Sequence, residues 1–168
     1  MEECKLFDTP LPPGTHVSKD DEGATLTKTE HKLYRAGVAT VTYLGCTTRP
    51  DVSAAAAMLG KVQHAPKSMH MTLLKRTIGY LRGTRTKGIR YTMPKDPRKR
   101  NKLTAFADAS WADDKDDRRS THGYVMYMNG GPVSWHSRKA KSVALSTAEA
   151  EIAAATEAAR DVVAAREM

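Results

Sequence analysis

The sequence predicts an α+β fold, helical in its first half and built of antiparallel strands followed by a helix in its second. Three observations carry that reading. Apolar residues recur at helical spacing from about residue 30 to residue 82, and they alternate after residue 88. From Ala144 onward helix formers run unbroken to Met168. The 168 residues suit one domain and part of a second, and we divide them into an extended arm (1–30), a helical segment (31–87) and a strand-and-helix segment (88–168).

In the arm, Pro10, Pro12 and Pro13 fix their own φ and restrict the residues before them, so the chain is extended there. The polar stretch from Ser18 to Thr29 continues it, laid over other elements. Leu33, Ala36, Val38, Val41 and Leu44 then mark a first helix between Glu30 and Cys46. Arg49-Pro50-Asp51 breaks it, and Asp51 or Ser53 is placed to cap a second helix running to about Gln63. After Ala65-Pro66 a third helix runs from Ser68 to Arg82 and ends at Gly83. There Leu74, Ile78 and Leu81 form an apolar row. Lys75, Gly79 and Arg82 share another face, where two cations flanking a glycine would let a phosphate backbone approach.

Alternation then marks strands at Ile89 to Met93, Leu103 to Asp108 and Gly123 to Met128. Asn129-Gly130-Gly131 is a hairpin signal, returning through Val133, Trp135 and Ser137. A basic loop holding Lys95, Arg98, Lys99, Arg100 and Lys102 separates the first two strands. On the final helix, about 100° per residue gives an apolar stripe of Leu145, Ala148, Ile152, Ala155 and Ala159.

The net charge is +8, from 27 Lys and Arg against 19 Asp and Glu, which points to a polyanionic partner, above all nucleic acid. Lys75, Arg82 and the Lys95–Lys102 loop are the residues expected to meet phosphate. No run of about 18 apolar residues exists, so no membrane span is expected. Cys4 and Cys46 make neither a disulfide framework nor a four-ligand zinc site, which fits a reducing, intracellular setting, cytoplasmic or nuclear.

Most catalytic classes find no support. Cys46 has no histidine near it in sequence, Ser146 lies in no Gly-x-Ser-x-Gly elbow, and no phosphate-binding glycine loop occurs. The six histidines show no HExxH or other paired-ligand spacing. Metal-assisted phosphodiester chemistry remains. Asp108 ends a strand, where a carboxylate facing another on a nearby helix can hold a hard cation. Asp113, Asp114, Asp116 and Asp117 read as solvated charges in a polar loop. The partner on the final helix is Glu149 or Glu151, which flank the apolar stripe on opposite sides, and helical geometry leaves both open.

Several ordered blocks together resemble the Pol polyprotein of copia-type LTR retrotransposons. They are Tyr34-Arg35-Ala36-Gly37 through Tyr43-Leu44-Gly45-Cys46-Thr47-Thr48-Arg49-Pro50-Asp51, then Leu73-Leu74-Lys75-Arg76 with Tyr80-Leu81-Arg82-Gly83-Thr84. Next come Phe106-Ala107-Asp108-Ala109-Ser110-Trp111-Ala112-Asp113 and Asp117-Arg118-Arg119-Ser120-Thr121-His122-Gly123-Tyr124-Val125. Val133-Ser134-Trp135 and Val143-Ala144-Leu145-Ser146-Thr147-Ala148-Glu149-Ala150-Glu151 complete them, and Glu3-Cys4-Lys5 with Thr9-Pro10-Leu11-Pro12 resembles the start of the family's connection segment.

The resemblance implies a thumb and connection-like first half, followed by the first strands and first helix of an RNase H-like fold, incomplete at the C-terminus. It implies hydrolysis of the RNA strand of RNA–DNA hybrids with Mg²⁺, or Mn²⁺, as cofactor. Asp108 matches the family's first metal-binding aspartate, and Glu151 matches the glutamate of its first helix, which decides between the two glutamates. The implied partners are an RNA–DNA hybrid and, from the same polyprotein, the polymerase palm and the C-terminal part of RNase H. Ser110 stands where the family often has a second Asp, and the family's later catalytic aspartates find no match before Met168. The expectation is therefore weak or no nuclease activity in this chain. The alternatives are a non-catalytic basic nucleic-acid-binding module and a decayed element fragment.

Overall fold

The computed structural model describes residues 5–167, so the Glu3-Cys4 part of the connection match and Met168 lie outside the described residues. The chain forms two compact units: residues 1–87 with Asp114–Asp116, and residues 88–113 with 117–168.

The first unit is helical. Helix α1 (Lys28–Thr47) starts at a reciprocal cap, in which Thr27 Oγ1 accepts from the Glu30 amide at 3.3 Å and Glu30 Oε2 accepts from the Thr27 amide at 2.9 Å. A 3₁₀ turn (Pro50–Val52) leads into α2 (Ser53–Gly60), and α3 spans Ser68–Gly83. The expected cap of α2 does not form. Ser53 Oγ donates to the Gly45 carbonyl at 2.7 Å, and Asp51 receives a two-pronged pair of bonds from Arg49 at 2.9 and 2.7 Å. Tyr34, Val38, Val41, Val52, Leu59, Val62, Leu74 and Tyr80 form the core, with Val17 from the arm.

The arm is fastened to these helices. Thr25 bridges Lys67, and the Ser68 amide donates to Ala24 O at 2.9 Å. His70 is fully buried, its Nδ1 accepting from the Lys67 amide at 2.9 Å while Nε2 meets the Asp21 carboxylate at 3.2 Å. Those partners assign this histidine to structure.

The second unit holds an antiparallel sheet in the order β1 (Thr104–Ser110), β2 (Thr121–Met128), β3 (Gly131–Lys139), followed by α4 (Thr147–Glu167). The β2–β3 turn runs through Asn129 at φ 51° and Gly130 at φ 77°, the left-handed pair that matches the twist of a tight hairpin. The strand expected at Ile89–Met93 does not form. That segment is held locally instead, the Thr92 amide donating to Asn129 O at 2.7 Å and Tyr91 Oη to Pro132 O at 2.8 Å.

Helix α4 packs on the sheet through a different row from the expected stripe. Ala150, Ala154 and Ala158 are buried, whereas Leu145 is 88% and Ile152 67% exposed. Of that row Ala158 joins Tyr124 and Met126 in one small cluster, with Leu103, Ala105, Val133, Val162 and Ala165 packed against it. Alanines let helix and sheet approach closely, so the larger Ile152 is not needed at the contact.

Candidate active site

Register and helical angle together place the two carboxylates. Ala105 and Tyr124 belong to the cluster under α4, and Ala107 pairs with Tyr124, so strand alternation puts Asp108 on the opposite face with Phe106 and Ser110. The residue paired with Asp108 is Gly123, which brings no side chain over it. Asp108 consequently lines a shallow depression of about 360 Å³ with Phe106, Ser110, Thr121, Gly123 and Ser137.

On α4, Glu151 and Glu157 sit about 60° to either side of the buried alanine row. Glu157 reaches His122 and His136 on β2 and β3, so the Glu151 flank is the one toward β1. The helix runs antiparallel to β1, since Ala165 near its C-terminus lines a groove with Leu103 while Glu157 meets the other end of the sheet. Asp108 thus lies on the face of β1 away from α4, and Glu151 on the flank of α4 toward that strand, which is an edge strand of this sheet.

Glu149 has another task. Its Oε2 accepts from the Leu145 amide at 2.6 Å while the Glu149 amide donates to Ser146 Oγ at 3.2 Å, a reciprocal cap at the start of α4. Among the described residues, neither the Asp108 nor the Glu151 carboxylate makes a hydrogen bond or ion pair. The choice that helical geometry leaves open is thus narrowed by chemistry: Glu149 is committed and Glu151 is not.

In the acidic loop Asp114 is buried and Asp113 half-buried, whereas Asp116 and Asp117 are exposed, as expected of solvated charges. Asp113 accepts from the Thr121 amide at 2.6 Å and from its hydroxyl at 2.8 Å, and Asp117 pairs with Lys139 at 2.8 Å. In the first unit Asp114 is buried against Lys61 Nζ at 3.0 Å, and Asp116 accepts from Ser18 Oγ at 2.5 Å.

The residues expected to meet phosphate divide between the units, Lys75 and Arg82 on α3 and the others before β1; all are exposed. Arg98 forks onto Asp96 at 3.2 Å, which holds the Asp96 carboxyl below its ordinary value, and Arg100 Nε donates to Pro94 O at 3.2 Å. Gly79 does not present a phosphate cradle. It is buried, and a Cβ there would fall 2.4 Å from Lys5 O and 3.0 Å from the Phe7 ring, so the glycine admits the protein's own arm.

A second cluster was not marked by spacing. His122, His136 and Glu157 come together across β2, β3 and α4, with Arg138 also on Glu157. Burial, and then the charge of Arg138, holds both imidazoles below their ordinary value. Burial and the bond to Asp161 push the Tyr124 hydroxyl up. The legible signal was the hairpin itself, since both histidines stand seven residues from Asn129.

The chain is 39% identical to the retrovirus-related Pol polyprotein from transposon RE1 of Arabidopsis thaliana over 90% of its length, and 32% identical to that from transposon TNT 1-94 of Nicotiana tabacum over 97%. It belongs to the copia-type retrotransposon Pol family. This Pol segment spans about a tenth of those polyproteins, 10% and 12% of their lengths. It is also 41% identical to the secreted RxLR effector protein 161 of Plasmopara viticola, over 77% of this chain and 89% of that protein. No family model and no solved structure matches the Pol segment. Among the described residues no helix is long and apolar enough to cross a membrane.

Proposed function

We propose that this segment binds RNA–DNA hybrid and contributes Asp108 and Glu151 to a Mg²⁺ site for hydrolysis of the RNA strand, within an RNase H-like second unit. The observation that carries the reading is that Asp108, on an edge strand, and Glu151, on the flank of α4 toward that strand, are both uncommitted carboxylates. It is supported by kinship to Pol polyproteins and by the net charge of +8.

The donor set fits Mg²⁺, which takes oxygen ligands and keeps several waters unless substrate phosphates replace them. When bound, the ion would polarise a phosphodiester and lower the pKa of attacking water. Asp108 and Glu151 would hold it, and the exposed cations Lys95, Lys99 and Lys102 would position the nucleic-acid backbone without reading sequence. Two carboxylates are few for an ion that dehydrates reluctantly, so the 168 residues alone bind hybrid and cut it slowly or not at all.

The experiment is hybrid binding by fluorescence anisotropy with and without Mg²⁺, using single-stranded RNA of the same sequence as control. Hybrid binding that Mg²⁺ strengthens about tenfold, roughly 1.4 kcal/mol, supports the site. Equal binding of both nucleic acids, indifferent to Mg²⁺, would leave only a basic surface.

A further inference from the structure

Folding of the β2–β3 hairpin beneath α4 assembles a ligand set that serves neither the Asp108–Glu151 pair nor the phosphate-binding residues. His122, His136 and Glu157 each present one ligand atom, all within 4.8 Å of one another. The His122 and His136 Nε2 atoms lie 2.6 and 3.2 Å from Glu157 Oε2. We propose that these three residues form a transition-metal site, with Zn²⁺ as the fitting ion.

Two imidazoles and one carboxylate are a donor set of three-ligand zinc sites, in which water or an outside anion takes the fourth position. The two nitrogens disfavour Mg²⁺ and Ca²⁺, which take oxygen, and so separate this cluster from Asp108 and Glu151. Metal–ligand bonds of about 2.0–2.1 Å in a tetrahedron set donor atoms about 3.3 Å apart. The two His–Glu157 separations of 2.6 and 3.2 Å lie within an ångström of that spacing.

The surroundings hold the ligands in place. The Tyr124 ring stands edge-on to His136 with centroids 4.5 Å apart. Arg138 grips Glu157 Oε1, which leaves Oε2 to face the two imidazoles and fixes the carboxylate plane. Both imidazoles, half-buried beside Arg138, favour the neutral form that binds metal. The site opens on a groove lined by Lys139, Lys141 and Arg160, a setting that suits an anion as the fourth ligand. An ion here ties α4 to both strands of the hairpin, across a layer whose helix side is mostly alanine.

The test titrates the whole chain with Zn²⁺ alone, and with Co²⁺ for its visible absorption. We expect one tight site per chain, a four-coordinate Co²⁺ spectrum, and a higher unfolding midpoint by tryptophan fluorescence. His136→Ala and Glu157→Gln each weaken binding at least about a hundredfold, beyond the 10–100-fold loss that follows removal of an orienting partner. His122→Gln, which keeps a polar side chain of similar reach, carries the test if His136→Ala fails to fold by circular dichroism. His64→Ala and Asp108→Asn retain the site. Parental Zn²⁺ affinity in the cluster variants, or its loss in Asp108→Asn, would overturn the proposal.

Discussion

Tyr34, Leu59 and Leu74 are sealed within the first unit, whereas in the second unit the helix meets its sheet through Ala150, Ala154 and Ala158. The first unit also ties polar groups together in its interior. Arg49 grips Asp51, Thr84 O at 3.1 Å and Thr84 Oγ1 at 2.7 Å, and Tyr80 Oη donates to Asp51 at 2.5 Å. The second unit leaves an apolar sheet face partly open, with Phe106 62% exposed and packed edge-on against Tyr127. It also holds the uncommitted carboxylates and the His–Glu cluster. One unit spends its side chains on being a scaffold, and the other keeps polar groups available for chemistry.

That contrast breaks most readily at Leu74. Leu74→Ala removes a fully buried side chain and should cost about 3 kcal/mol, seen in urea unfolding followed by far-UV circular dichroism. Both tryptophans belong to the second unit, so their fluorescence transition should stay in place. A shift of both transitions by the same amount would show a single cooperative core.

Arg49→Ala comes next. It leaves the Asp51 carboxylate without its guanidinium, and should cost about 2 kcal/mol, less than a fully buried pair because a third of Asp51 meets solvent. Burial pushes the Asp51 carboxyl up, but bonds from Arg49 and Tyr80 outweigh it and hold the group below its ordinary 3.8. A depressed carboxyl contributes fully above its ordinary value and loses that contribution as pH falls toward the depressed one. Acid titration should therefore weaken the first unit below about pH 4, and Arg49→Ala should flatten that dependence.

In the second unit Ala154→Leu should overpack the helix–sheet contact, costing about 2 kcal/mol by tryptophan fluorescence. The smallest effect belongs to Ile152→Glu. That side chain faces solvent, so the cost should be under about 0.5 kcal/mol; a loss of several would restore the Leu145–Ile152 stripe as the packed face.

The helices were legible because apolar spacing and the breaks at Arg49-Pro50 and Ala65-Pro66 act locally. So was the hairpin, whose Asn129-Gly130 pair states its own backbone geometry. The face of α4 was not, since alanine occupies nearly every side of that helix and only the sheet decides which row is covered. Gly79 misled for a related reason: its missing Cβ marks a close approach but does not say whether a ligand or Phe7 makes it. The aspartate loop looked solvated because the partners of Asp113 and Asp114 lie far along the chain or on another element. His122 and His136 share no ligand motif, and only pairing across the hairpin reveals them. The expectation for Asp108 and Glu151 rests on family resemblance, while the capping role that sets Glu149 apart needed three dimensions.

The most direct measurement compares Mg²⁺-dependent hybrid affinity in Asp108→Asn, Glu151→Gln and Glu149→Gln with the parent chain. The carboxylate pair predicts that the Mg²⁺ increment vanishes in the first two variants and persists in the third. An increment that survives Asp108→Asn, or that disappears only in Glu149→Gln, would contradict it.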